Sequence, residues 1–305
     1  MTKLATDSPY PRDFVGYGPT PPDPLWPNAA KVALSFVLNY EEGAENTVLN
    51  GDAGSEQYLH EVPGGASILG ERSVTIESQF GYGARSGVWR VLRLFAERGL
   101  PLTIYACGRA LELNPAVARA FIDQGHEVAC HGWRWIDYHD VDAATERAHI
   151  AQNIEAVTRL CGVAPVGWYT GRVSPQTRAL VAEREGFLYD SDSYEDDLPY
   201  YVPVGGKPRL IIPYTLDAND MKFAVAPGFA SADGFGAYLR DGLDLLRGEG
   251  GRMMSVGLHG RIVGRPARAA ALARFLDHVV ACRDIWVARR ADIARHWWAT
   301  HPPAP

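Results

Sequence analysis

An α/β fold, a distorted TIM-like (β/α) barrel with about seven to eight strands, is predicted by three features of the sequence. Short apolar runs alternate with segments of helical periodicity along all 305 residues. The runs are almost continuously apolar, as strands covered on both faces are, so the strands should be parallel. Chemically capable residues recur just after the runs: Glu41, Glu42, His131, Tyr169, Arg172, Asp190, Asp217 and His259. That is the end of a barrel strand at which enzymes place their chemistry. The length suits a single barrel domain, 1–305, with an N-terminal arm over 1–30.

Taken in order, Met1–Pro27 carries seven prolines and no apolar core segment, which predicts an extended arm rather than a signal peptide. Val32–Leu38 is the first strand, followed by Asn39-Tyr40-Glu41-Glu42-Gly43. Residues 44–85 are Gly-rich and weakly periodic, too long for a simple connection, and are expected to be a functional loop insertion. Val88, Val91, Leu92 and Phe95 fall at helical spacing, with Gly99 as the stop. Leu102–Ala106 is the second strand; Asn114-Pro115 reads as an N-cap and first helical residue, and Gly125 closes that helix. Val128–Cys130 is a strand that delivers His131, and Asp142–Leu160 is a helix stopped by Gly162.

Val166–Tyr169 reads as a strand, and Ser174-Pro175 opens a helix that ends at Gly186. Phe187–Asp190 and Leu210–Ile212 are short strands around the acidic run Asp190–Asp197, whose Tyr194 suggests a packed lid. Gly234–Arg247 is a helix, Met253–Leu258 a strand ending at His259, Pro266–Cys282 a helix, Ile285–Ala288 a strand and Arg290–Trp298 the last helix.

The net charge of −6 and the absence of any Lys/Arg cluster argue against nucleic acid or an anionic membrane as partner. No apolar run approaches bilayer-spanning length. The four cysteines, Cys107, Cys130, Cys161 and Cys282, are scattered without a Cys-x-x-Cys, which suggests a reducing, cytoplasmic setting. The expected partners are a small-molecule substrate and further copies of the chain in a homo-oligomer.

Glu41-Glu42 with His131 and His259 at strand ends offers a general base and a general acid for adding water to a carbonyl. Taken singly, each has a blander reading: a solvated acidic turn, or a hydrogen-bonded structural histidine. The residue four beyond His131 is Trp135, so a helical pair of imidazoles for a metal is missing. Trp135 is placed to stack on a ligand. Tyr169, Arg172, Asp217 and Asn219 are candidate substrate-binding residues from their positions.

This set resembles the polysaccharide deacetylase superfamily over nearly the whole chain. In that family an Asp-Asp-Gly follows the first strand, a His-x-x-x-His a later one, and a Leu-His pair lies near the C-terminus. Glu41-Glu42-Gly43, His131–Trp135 and Leu258-His259 stand in the same order. The resemblance implies Glu41 as general base, Glu42 and His131 at two metal positions, and His259 as general acid. The departures from the pattern are similar to one branch, the cofactor-independent allantoinases, in long strings: Ser35–Gly43, Gly167–Arg172, Ile212–Asp217, Asn219–Met221 and Ile262–Arg268. That resemblance implies hydrolysis of the hydantoin ring of allantoin with no cofactor and no metal ligands. The alternative is a metal-dependent deacetylase or amidohydrolase, with Glu42, His131 and a further ligand such as Asp137 or His139 holding zinc.

Overall fold

The computed structural model describes residues 12–303. Expectations for residues 1–11 of the arm lie outside the described residues. Among those described, the strands in chain order are β1 (Val32–Tyr40), β2 (Thr103–Ala106), β3 (Glu127–Cys130), β4 (Gly167–Trp168), β5 (Tyr189–Asp190), β6 (Tyr200–Val204), β7 (Lys207–Ile211), β8 (Arg252–His259) and β9 (Ile285–Val287). They form one sheet in the order β6-β7-β5-β4-β3-β2-β1-β8, with β9 pairing β1 as well. It curls into an incompletely closed barrel, as the alternation of strands and helices predicts. β1 is the centre. All nine of its residues are buried, and it runs parallel to β2, β8 and β9.

Two faces of the sheet build two cores. Val32, Leu34, Phe36 and Leu38 point outward into a layer shared with the helices, where Phe36 meets Phe95 and Phe275 edge-on. Ala33 and Val37 point into the barrel with Tyr105, Ala129, Tyr169 and Tyr214. The period of two sets these directions. The last helix, α9 (Arg290–Thr300), belongs to the inner core through Ile293 and Trp297. Its fully buried Arg290 donates to Ser191 and Ser255 hydroxyls and to the carbonyls of Ile212 and Pro213, fastening β5, β7 and β8 together.

Four expectations are corrected. The irregular insertion stops at Ser73 rather than Arg85, because α1 (Val74–Tyr82), a π turn (Gly83–Gly87) and α2 (Val88–Ala96) make one continuous helix. Gly81, Gly83 and Gly87 obscure its periodicity. A hairpin, β6–β7, replaces the single strand read at Leu210–Ile212. Pro203 and Pro208 sit opposite each other in it, which is tolerable only at a sheet edge, and Gly205-Gly206 turn it with φ of 57° and 76°. Asn114 precedes α4 (Pro115–Asp123) without a capping hydrogen bond, and the helix expected at Ser174 begins at Thr177 as α6 (Thr177–Ala182). By contrast, Asp142 caps α5 (Ala143–Cys161) by accepting from the Ala144 and Thr145 N–H groups. The remaining helices are α3 (Gly108–Leu113), α7 (Ala232–Glu249) and α8 (Pro266–Ala281). Among the described residues no helix is long and apolar enough to cross a membrane.

Candidate active site

Four strand ends deliver the site. Asn39 and Glu41 continue the inward parity of Ala33 and Val37, so both line a half-open pocket at the carboxyl ends of the strands. His131 follows β3, Tyr169 follows β4, and His259 closes β8; all three line the same pocket. Glu42 has outward parity and lies behind the pocket wall, against the π turn. A Cβ on Gly83 would overlap the Glu42 carboxylate and crowd the Arg261 backbone N–H, so only glycine permits this approach. π turns inside helices recur at functional sites because they re-aim one turn of backbone.

Glu41 is the electrostatic centre. Its Oε1 is 3.0 Å from His131 Nε2 and 3.5 Å from His259 Nε2, and its Oε2 is 2.7 Å from Arg261 Nη1. The Arg261 contact is off the N–H direction, which makes it an ion pair rather than a linear hydrogen bond. Burial favours a neutral Glu41, but Arg261, then His259 and His131, outweigh it and hold the carboxyl well below its ordinary 4.5. Glu42 shifts the other way: burial, opposed by Arg261 and reinforced by Glu41, raises it. Its Oε2 accepts the Glu41 backbone N–H at 3.1 Å. The two adjacent acids are therefore inequivalent in direction, and their carboxyl pKa values shift in opposite senses.

His131 Nδ1 faces the Tyr169 carbonyl at 3.1 Å and so carries a hydrogen, while Nε2 faces the Glu41 carboxylate. The ring stacks on Tyr169 at 5.2 Å, and Tyr169 stacks on Tyr105 at 4.7 Å, which fixes its plane. His259 is held from behind by Asp220: Oδ1 faces Nδ1 at 2.6 Å, and Oδ2 accepts the N–H groups of His259 and Val263. Burial alone would push the His259 imidazolium down, but Asp220 and Glu41 outweigh it and raise it to about 9. At neutral pH this side chain is a cation with Nε2 turned to the pocket.

The pocket walls come from the insertion and the β4 loop. Arg172 lies between Tyr58 and Trp135, 5.3 and 5.2 Å from their ring centres. Glu56, fully buried, takes the N–H groups of Asn46, Gln57 and Tyr58 and stands 3.5 Å from Arg172 Nη1. Asp192 accepts from the Thr170 and Gly171 N–H groups, while burial, then Asp190, raises its carboxyl to about 7. Tyr194 reaches over to Tyr169, hydroxyl to hydroxyl at 2.9 Å. The acidic run thus braces one wall.

Of the residues singled out from sequence, Glu41, His131, His259, Trp135, Tyr169, Arg172 and Asn219 line one pocket. Asn219 spends both ends of its amide on the Met221 N–H and the Thr215 carbonyl, which shapes the wall. Two placements are corrected. Glu42 lies behind the pocket because its parity is outward. Asp217 is exposed, with its carboxylate taken by the Tyr238 and Thr215 hydroxyls, because the chain turns away between Thr215 and Asn219. Sequence reasoning missed Arg261, Asp220, Glu56 and Tyr58. Asp220 had one signal: it stands in the string Asn219-Asp220-Met221.

A divalent ion does not fit these side chains. The residue four beyond His131 is Trp135, His131 Nε2 is already committed to Glu41, and the space beside Glu41 and Glu42 is taken by the Arg261 guanidinium. Asp137 and His139 are exposed, and Asp137 turns back to accept the His139 N–H. Among the described residues, no group of three or more His, Cys, Asp or Glu side chains is arranged to hold a metal.

The family pattern described as Polysaccharide deacetylase matches residues 70–185. A Schizosaccharomyces pombe protein assigned to the polysaccharide deacetylases is 44% identical over 315 residues, covering 95% of this chain and 98% of its own. The crystal structure of PuuE allantoinase superposes with a TM-score of 0.95 at 52% identity, over 97% of this chain and 99% of that one. A Pseudomonas aeruginosa PAO1 structure, also assigned to the polysaccharide deacetylases, superposes at 0.94 with 52% identity, over 97% of this chain and 100% of that one.

Proposed function

The chain belongs to the polysaccharide deacetylase family, and from that membership we propose that it hydrolyses the hydantoin ring of allantoin to allantoate with no metal. The coarser statement stands by itself: the chain is a hydrolase of this fold acting on an amide carbon–nitrogen bond. The observation that carries the finer reading is the pairing, in one pocket, of an ionised carboxylate with an imidazolium braced by Asp220. The substrate is suggested by the likeness to PuuE allantoinase over almost the full chain.

In this reading Glu41 takes a proton from water as the water oxygen bonds to a ring carbonyl carbon. The developing oxyanion faces the cationic side of the pocket, where Arg172 acts as a donor, while His131 holds Glu41 in place. His259 then gives its Nε2 proton to the ring nitrogen as the carbon–nitrogen bond breaks, leaving a carboxylate and a ureido group. Trp135 and Tyr58 cover a flat, small substrate, and Arg172 meets its carbonyl oxygens. Glu42 acts from behind, orienting the backbone of Glu41.

The deciding experiment incubates metal-stripped protein with allantoin, other hydantoins and N-acetylated sugar oligomers. Ring opening of allantoin, unaffected by chelator, supports the reading. Activity confined to acetylated sugars, or restored only by zinc or cobalt, sinks it.

A further inference from the structure

Arg261 is fully buried, yet its Nε and both Nη atoms have no linear hydrogen bond among the described residues. A guanidinium is normally placed by its fork of donors. Here it is placed by charge and rings. Its central carbon lies 4.4 Å from the centre of Phe80 and 5.0 Å from that of Trp135, and Nη1 is 2.7 Å from Glu41 Oε2. The elements around it converge for the purpose. Phe80 belongs to α1, Trp135 to the loop after β3, and the Gly83–Gly87 π turn lets the Gly260-Arg261 backbone sit against the helix, where a Cβ on Gly87 would overlap the Gly260 carbonyl. Behind the pocket, then, stands a fixed cation beside two adjacent buried carboxylates.

We propose that Arg261 is a resident cation of the catalytic centre, holding Glu41 ionised and aimed from behind the pocket in the electrostatic place that a divalent ion would otherwise take. It touches no substrate, since it does not line the pocket; it is a positioning residue acting through Glu41. Trp135, at the spacing where a second imidazole would ligate, supplies instead a face for that cation. Two adjacent buried acids with no cation would repel, and one would take up a proton. The inference rests on the metal-free reading above, although one arm of its test needs no substrate.

The test is chemical rescue of Arg261→Ala. The variant should fold, as judged by circular dichroism, and lose turnover by about a hundredfold or more, the scale of one preorganised charge contact. Millimolar methylguanidinium should restore at least tenfold and raise the variant's melting temperature; urea, of similar shape and uncharged, should do neither. The melting arm reads occupation of the cation position without substrate, so methylguanidinium stabilisation of a protein that ignores allantoin would fault the substrate and spare this inference. Where Arg261→Ala does not fold, Arg261→Lys is read instead: it should keep partial turnover and leave KM nearly unchanged, because the charge survives at a shorter reach. Full turnover in the variant that folds, equal effects of urea and methylguanidinium, failure of methylguanidinium to rescue folded Arg261→Ala, or one tightly held zinc per wild-type chain overturns the proposal.

Discussion

Replacing Asp220 by Asn should move the pH at which the enzyme loses its acid. His259 is raised from 6.5 to about 9: burial opposes the charge, and Asp220 first, then Glu41, outweigh it. That difference corresponds to about 3 kcal/mol in favour of the imidazolium, since one pH unit between two pKa values is about 1.4 kcal/mol. With Asn, burial is opposed by Glu41 alone, and His259 should titrate near or below its ordinary value. The assay is kcat/KM for allantoin against pH. Because the charged form donates the proton, wild-type activity should fall as pH rises through about 9, and variant activity as pH rises through about 6.5 or below. At pH about 8 the variant should be slower by ten- to a hundredfold. Stability follows the same sign: the raised pKa contributes stability that is whole below about 6.5 and lost as pH climbs to about 9, so denaturation midpoints should decline across that window only in the wild type. The two backbone N–H groups share one oxygen of Asp220, which the Asn carbonyl can replace, so its NH2 falls against His259 Nδ1 and removes the acceptor that favours the imidazolium. The diagnostic is therefore the position of the alkaline limb, and a variant whose limb stays near 9 refutes the reasoning.

Glu41→Gln should reduce turnover by about a hundred- to ten-thousand-fold with substrate affinity largely kept, whereas Glu42→Gln should be milder in kcat because it acts through the Glu41 backbone; steady-state kinetics of the two separate them. Gly83→Ala drives a methyl into the Glu42 carboxylate and should cost about 1–3 kcal/mol in urea denaturation. Glu56→Gln leaves a donor facing the N–H groups of Gln57 and Tyr58 and removes the charge beside Arg172, so KM should rise about tenfold with kcat changed less. An unchanged KM would mean that the insertion does not bind substrate.

The barrel was legible because its signals are local. Apolar runs such as Val32–Leu38 and stops such as Gly99 and Gly162 act within a few residues. What was lost had local rules broken for a tertiary reason. The helix through Gly83 looks like loop because its glycines serve the close approach of Glu42 and Gly260. The β6–β7 hairpin looks broken because its prolines sit at an edge. In the site, Glu41, His131 and His259 were readable from strand ends, but Arg261 and Asp220 were not. Each takes its meaning from a partner far away in sequence, and a cation that faces Glu41 across the fold leaves no spacing to read. The misplacement of Asp217 has the same origin: a turn inside a loop decides which of two neighbouring polar residues faces inward.

One tension in the proposed chemistry resolves through that same charge set. A carboxylate held well below its ordinary value is a weak base, and Glu41 is so held by Arg261, His259 and His131. Of these, the His259 charge changes during the reaction and the Arg261 charge does not. When His259 passes its proton to the leaving nitrogen it becomes neutral, and the field that depresses Glu41 weakens at the moment Glu41 must keep the proton taken from water. The two groups are 3.5 Å apart and share Oε1, so their titrations are coupled and each proton transfer assists the other. Arg261, on Oε2, stays charged throughout and prevents Glu41 from trapping a proton in the resting enzyme. Asp220, out of the pocket, favours the charged imidazole, so that His259 takes a proton back after each turnover from the protonated Glu41 or from water. A base suppressed at rest and released by its own partner acid needs both histidine and carboxylate in one pocket; loss of His259 should lift the Glu41 carboxyl toward its ordinary range and still stop turnover at protonation of the leaving nitrogen.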